Sequence, residues 1–149
     1  MIRALTIAFA LIASACAATA GGYTQGDLAK LSFLEGRWQG IGPDGAPFYE
    51  QYDFPSPEKF RSQRFDAAFT TVSDTSTLTL EEGDIYSRWG EYSWKATDIA
   101  DGYIAFAPVN APSAFHWKKL DASTVEVVQK FSGEDGKPQT YTVMLKRIA

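Results

Sequence analysis

The sequence predicts an all-β protein, an antiparallel up-and-down barrel of about 8–10 strands behind a short N-terminal helical turn. Three observations predict it. Turn signals recur from Gly36 to Ala149: Gly42-Pro43-Asp44-Gly45, Pro55-Ser56-Pro57, Glu82-Gly83-Asp84, Asp101-Gly102, Pro108 to Pro112 and Gly133-Glu134-Asp135-Gly136. Glycine reaches positive φ and proline fixes its own, so both punctuate a chain. The pieces between them are roughly 6 to 11 residues long and rich in Thr, Val, Tyr, Phe and Trp, which suit a pleated surface. Within them, apolar and polar residues alternate, as on a strand with one buried face.

The first segment, Met1–Ala20, is an address rather than a part of the fold. One basic residue, Arg3, precedes an apolar run from Ala4 to Ala13 and then small residues, the plan of a secretory signal peptide. The run is shorter than the roughly 20 residues of a membrane span. Ala18-Thr19-Ala20 is a small-x-small cleavage site, so residues 21–149 are expected to form a single exported domain, periplasmic in a bacterium. Ala13-Ser14-Ala15-Cys16 resembles a lipobox, with Ala13 where Leu is usual. The alternative is therefore a lipoprotein anchored through Cys16, the chain's one cysteine.

Next comes the helical turn. Asp27 can cap it, Leu28, Leu31 and Leu34 give it an apolar side, and Gly36 stops it. Strands are then expected at 37–42, 46–54, 59–67, 75–81, 84–96, 102–107, 113–120, 123–132 and 138–148. In the second, Phe48, Glu50, Tyr52 and Phe54 share a side; in the third, Phe60, Ser62 and Arg64 do. In the fifth, Tyr86, Arg88, Gly90, Tyr92 and Trp94 share a face opposite Ser87, Glu91, Ser93 and Lys95. Phe115 and Trp117 oppose His116 and Lys118. Val125, Val127 and Phe131 oppose Glu126 and Lys130, and Tyr141, Val143, Leu145 and Arg147 share a face of the last strand. A sheet of this size must hide its edges, and closing it does so.

The first strand carries a motif: Gly36-Arg37-Trp38-Gln39-Gly40-Ile41-Gly42, or Gly-x-Trp-x-Gly-x-Gly, just after the helical turn. This resembles the entry strand of the lipocalin-like, or calycin, β-barrels, closest to small bacterial lipocalin-like domains and nitrobindin-type haem barrels. The resemblance covers Asp27–Ala149. It implies that Trp38 closes one end of the barrel and that Arg147, from the last strand, packs across it. It also implies an interior that takes a small molecule. Nitrobindin-type barrels ligate haem through a His close to the last strand. Here Gln139–Ile148 holds none, and the single His, His116, faces away from Phe115 and Trp117 by alternation. No cofactor is expected, with haem the alternative.

Composition narrows the function classes. The 149 residues include 14 basic and 18 acidic ones, a net charge of −4, which lacks the basic face of a nucleic-acid binder. With one Cys, no intrachain disulfide and no Cys-based metal site can be built, and one His removes most His-rich metal and catalytic constellations. No Gly-x-Ser-x-Gly elbow, phosphate loop or dinucleotide fingerprint is present, which points towards a binding protein rather than an enzyme. Aromatics are abundant, with 10 Phe, 4 Trp and 7 Tyr. The expected reading is an exported barrel holding a small apolar or aromatic ligand. Its candidate contacts are Glu50, Tyr52, Arg64, Tyr86, Tyr92 and Trp94, with rings supplying apolar area and Arg64 orienting an acidic or carbonyl group. The alternatives are a haem protein and a ligand-free structural protein of the envelope.

Overall fold

A computed structural model describes residues 22–149. The expected signal segment, its cleavage site and Cys16 lie outside the described residues. A helix α1 (Gln25–Ala29) runs into a 3₁₀ turn (Lys30–Leu34), and ten strands follow: β1 (Gly36–Ile41), β2 (Pro47–Ser56), β3 (Lys59–Phe65), β4 (Val72–Glu81), β5 (Asp84–Trp89), β6 (Tyr92–Ala100), β7 (Tyr103–Pro108), β8 (Ser113–Asp121), β9 (Thr124–Ser132) and β10 (Pro138–Ile148). Each strand pairs antiparallel with the next, and β1 pairs with β10, so the sheet is closed and has no free edge. Among the described residues no helix is long and apolar enough to cross a membrane.

Two local expectations need correction. The helix cap is Thr24, whose hydroxyl accepts from the Asp27 amide, while the Asp27 carboxylate accepts from the Thr24 amide. Asp27 therefore serves as the third helical residue of a capping box, not as its first. The segment 84–96 is not one strand but two. Trp89 pairs with Tyr92, and Gly90-Glu91 make a two-residue turn with Gly90 at φ 56. Glycine takes that φ without the Cβ clash that other residues meet.

The turn reverses which residues face inward. Ser87 opposes Trp94 across the hairpin, while Tyr86 opposes Lys95. Paired residues share a face, so Ser87, Trp89, Tyr92 and Trp94 point to the interior and Tyr86 to the outside. Alternation carried straight through 84–96 puts Tyr86 with Tyr92 and Trp94 instead.

One end of the barrel is shut. Leu28, Leu31 and Leu34 are fully buried together with Trp38, Leu78, Ile85, Ile104 and Val125. Burial of a leucine of this kind contributes about 1.5–3 kcal/mol. The Trp38 indole donates to the Leu34 carbonyl at 2.7 Å. Arg147 lies over the same ring, 4.3 Å from its centroid. Its guanidinium donates to the carbonyls of Glu35 (2.6 Å), Phe33 (2.9 Å) and Ala122 (3.2 Å). It thus satisfies backbone acceptors that the end of the helical turn leaves open.

The glycines of the first strand follow from this packing. Gly36 has φ 116, and a Cβ there would stand 2.7 Å from Arg147 Nη1. On the inner face, a Cβ at Gly40 would stand 2.7 Å from Phe48 Cε1. The Phe48 ring therefore lies directly on the Gly40 backbone.

Candidate functional site

Between the capped end and the opposite rim lies an open-mouthed cavity of about 430 Å³. Its walls differ in kind. Strands β2 to β5 supply Glu50, Tyr52, Ser62, Arg64, Ser76 and Ser87. Strands β6 and β8 to β10 supply Trp94, Phe115, Trp117, Val127, Val143 and Leu145. Phe48 lies at the seam, and the exposed residues Pro43, Asp74, Thr75, Trp89 and Gln129 stand at the mouth.

The apolar wall is a continuous set of rings. Trp94 meets Phe115 edge-on at 5.5 Å, Phe115 meets Trp117 at 5.4 Å, and Trp117 meets Tyr52 at 5.9 Å. Edge-to-face contacts of this kind are worth about 0.5–1.5 kcal/mol beyond area burial. They also hold the rings in fixed orientations. The Trp94 indole donates to the Ser113 carbonyl at 2.6 Å, which pins it further.

The polar wall centres on three side chains. Glu50 Oε1 accepts from Arg64 Nη2 at 2.7 Å, and Glu50 Oε2 accepts from the Tyr52 hydroxyl. Cross-strand pairing sets this up, because Glu50 opposes Arg64, and Tyr52 follows two residues later on the same face. Arg64 also lies over the Phe48 ring, 4.3 Å from its centroid. Tyr52 is 2% exposed. Burial, followed by the Glu50 charge and hydrogen bond, pushes its phenol well above the usual tyrosine value, so it stays protonated. At the mouth the Trp89 indole donates to Asp74 Oδ2 at 2.6 Å.

The structure brings Glu50, Tyr52, Arg64 and Trp94 into this one cavity. Tyr92 shares their inward face, but it stands at the rim with its ring packed between Trp89 (6.2 Å) and Trp94 (6.4 Å) and does not line the cavity. Tyr86 is on the outer face, where Arg88 (5.0 Å) and Lys95 (6.0 Å) lie over its ring. The reversal at Gly90-Glu91 takes it there.

Phe115, Trp117, Val143 and Leu145 fall on apolar faces by alternation and line the cavity, although they are not among the expected contacts. Their alternation was the available signal. Ser87, expected opposite Trp94, lies on the inner face with it, and no local signal outweighs the unbroken alternation.

His116 faces outward, with its ring 5.4 Å from that of Tyr103. Burial, with Lys130 nearby, lowers its pKa below the ordinary histidine value. It does not line the cavity. Among the described residues no group of three or more His, Cys, Asp or Glu is arranged to hold a metal ion.

No family model matches the chain, and no curated protein matches it. Several solved structures are similar to it, two of them as follows. One is a redesigned β-barrel, at 15% identity and TM-score 0.36, the match covering 80% of this chain and 96% of the other. The second is described as EF1p2_mFAP2b bound to DFHBI, at 14% identity and TM-score 0.38, covering 82% and 99%. The assignment of a closed antiparallel barrel rests on the strand order itself.

Proposed function

We propose that this chain is an exported, lipocalin-like barrel that binds a small apolar or aromatic molecule in its interior. The cavity carries the reading. At about 430 Å³ it exceeds the roughly 300 Å³ at which small-molecule pockets begin. It pairs a wall of fixed rings with one cluster of polar groups, the usual composition of such sites. The lipocalin-like part is supported by the Gly-x-Trp-x-Gly-x-Gly strand and by Arg147 across Trp38. Export is supported by the pattern of Met1–Ala20, with anchoring through Cys16 as the alternative route.

Native mass spectrometry of protein taken from its own host tests the binding, with a retained small molecule expected at one per chain. Trp94→Ala and Phe115→Ala should each weaken binding of an environment-sensitive dye by about tenfold, the effect of losing a well-packed ring contact. Dye affinity unchanged in both variants overturns the reading. N-terminal sequencing tests the export: a start at Gly21 is expected, and a diacylated Cys16 decides for the anchor.

A further inference from the structure

The interior is two-sided, and among the described residues that line it Glu50 and Arg64 are already paired with each other. Three serines, Ser62, Ser76 and Ser87, come from the consecutive strands β3, β4 and β5 and line the same side of the cavity as Glu50 and Arg64. Tyr52 opposes Ser62, and Ser62 opposes Ser76. Across the space stand Trp94, Phe115 and Trp117 with the aliphatic side chains of β9 and β10. Rings on one side and hydroxyls on the other suit a flat molecule with an apolar face and a hydrogen-bonding edge.

The charges set a further condition. Among the described residues that line the cavity, Arg64 is the only cation, facing the carboxylates of Glu50 and Asp74. Arg64 is held by Glu50 at 2.7 Å. Asp74 is held by the Trp89 indole at 2.6 Å and the Thr75 amide at 2.9 Å. An incoming carboxylate would leave water and meet no free cation. To become the counter-ion of Arg64 it would have to displace Glu50, itself only 15% exposed; at the N–H groups that Glu50 leaves free it would lie beside two carboxylates already facing one cation. Stripping a partner from a largely buried charge is costly. A neutral hydroxyl or carbonyl needs no such exchange. The paired carboxylate keeps lone pairs that accept from a hydroxyl, the guanidinium keeps N–H groups that donate to a carbonyl, and the serines do either.

We propose that the cavity selects an uncharged planar aromatic bearing hydroxyl or carbonyl groups on one edge, and that the Glu50–Arg64 pair is the element that rejects carboxylates. This rests on the reading of the cavity as a ligand site. It also departs from the expectation that Arg64 would orient an acidic group, because Glu50 already occupies that role.

Calorimetric titration with three probes sharing one ring system tests it: naphthol, naphthalene and naphthoate. Naphthol should bind the wild-type protein about three- to tenfold more tightly than naphthalene, the gain of a satisfied hydrogen bond. It should bind at least about tenfold more tightly than naphthoate, the cost of an uncompensated charge. Glu50→Gln keeps an acceptor for Tyr52 and releases Arg64. It should strengthen naphthoate binding about tenfold and weaken naphthol about three- to tenfold, because the hydroxyl loses a charged acceptor. In Arg64→Gln naphthoate should stay weak. Naphthoate binding the wild type as well as naphthol, naphthalene binding most tightly, or an unchanged preference in Glu50→Gln each overturn the proposal while the ligand site stands. If no probe binds the folded wild type, the ligand site falls and the proposal with it. Should Glu50→Gln fail to fold, the wild-type ranking decides alone.

Discussion

Arg147 and Trp38 are cross-strand partners, residue opposite residue on β10 and β1, and the guanidinium lies 4.3 Å over the indole. The contact closes the sheet and shuts one end of it together. The same guanidinium reaches the carbonyls of Phe33 and Glu35. The helical turn, the first strand and the last strand are therefore joined at one side chain.

Trp38→Ala should cost about 3–5 kcal/mol, the range for removing a large buried aromatic. Arg147→Ala should cost less, because the residue is exposed on its outer side. The double variant should lose less than the sum, since touching residues couple. Urea unfolding of the four proteins in a double-mutant cycle measures this, and full additivity would contradict an energetic link between the pair.

Gly40→Ala should destabilise the fold by about 1–3 kcal/mol, the usual cost of overpacking a filled interior. The new methyl would stand 2.7 Å from Phe48 Cε1, so the ring must move into the cavity it borders. Adding Phe48→Leu should recover part of the loss. Thermal melts of the single and double variants are the check.

Tyr52 predicts an alkaline dependence. Its folded pKa is raised above the ordinary 10.0, so above about pH 10 the unfolded chain gives up this proton while the native state keeps it. The stabilising contribution is complete below about pH 10 and declines above it, by up to about 1.4 kcal/mol per pH unit for this one group. Tyr52→Phe should flatten that part of the stability curve. Chemical denaturation of both proteins at a series of alkaline pH values shows it, and parallel curves would contradict the burial of the phenol.

Tyr86 and Trp94 should separate cleanly. Tyr86→Ser changes the outer face and should leave probe affinity within about twofold, as expected of a surface site. Trp94→Ala should weaken binding and lower the melting temperature as well, because the ring is 8% exposed and packs on Phe115. Probe titration of the two variants side by side tells them apart.

Much of the fold is legible in the chain because its signals are local. Turn residues, alternation and the Gly36–Gly42 motif each need only neighbouring positions. Where the reading failed, the missing information was also specific. The Gly90-Glu91 turn sits between Arg88-Trp89 and Tyr92, residues that favour strands, and its one cue is a glycine that strands also tolerate. Missing it shifted Tyr86 to the wrong face. Thr24 and Asp27 are both good caps by residue type, and only backbone geometry distinguishes them. The site was half legible. Alternation groups Glu50 with Tyr52 on one strand, but which faces meet across the barrel depends on closure and register. That is why Phe115 and Trp117 emerge as walls of the cavity only in three dimensions.

The helical cap makes the interior a dead end. With Leu28, Leu31 and Leu34 packed into one end, the way in among the described residues is the rim of Pro43, Asp74, Thr75, Trp89 and Gln129. An occupant must back out the way it came, and a newcomer cannot push it through from behind. For the binding function proposed, a single door lets a new guest in only after the last has left.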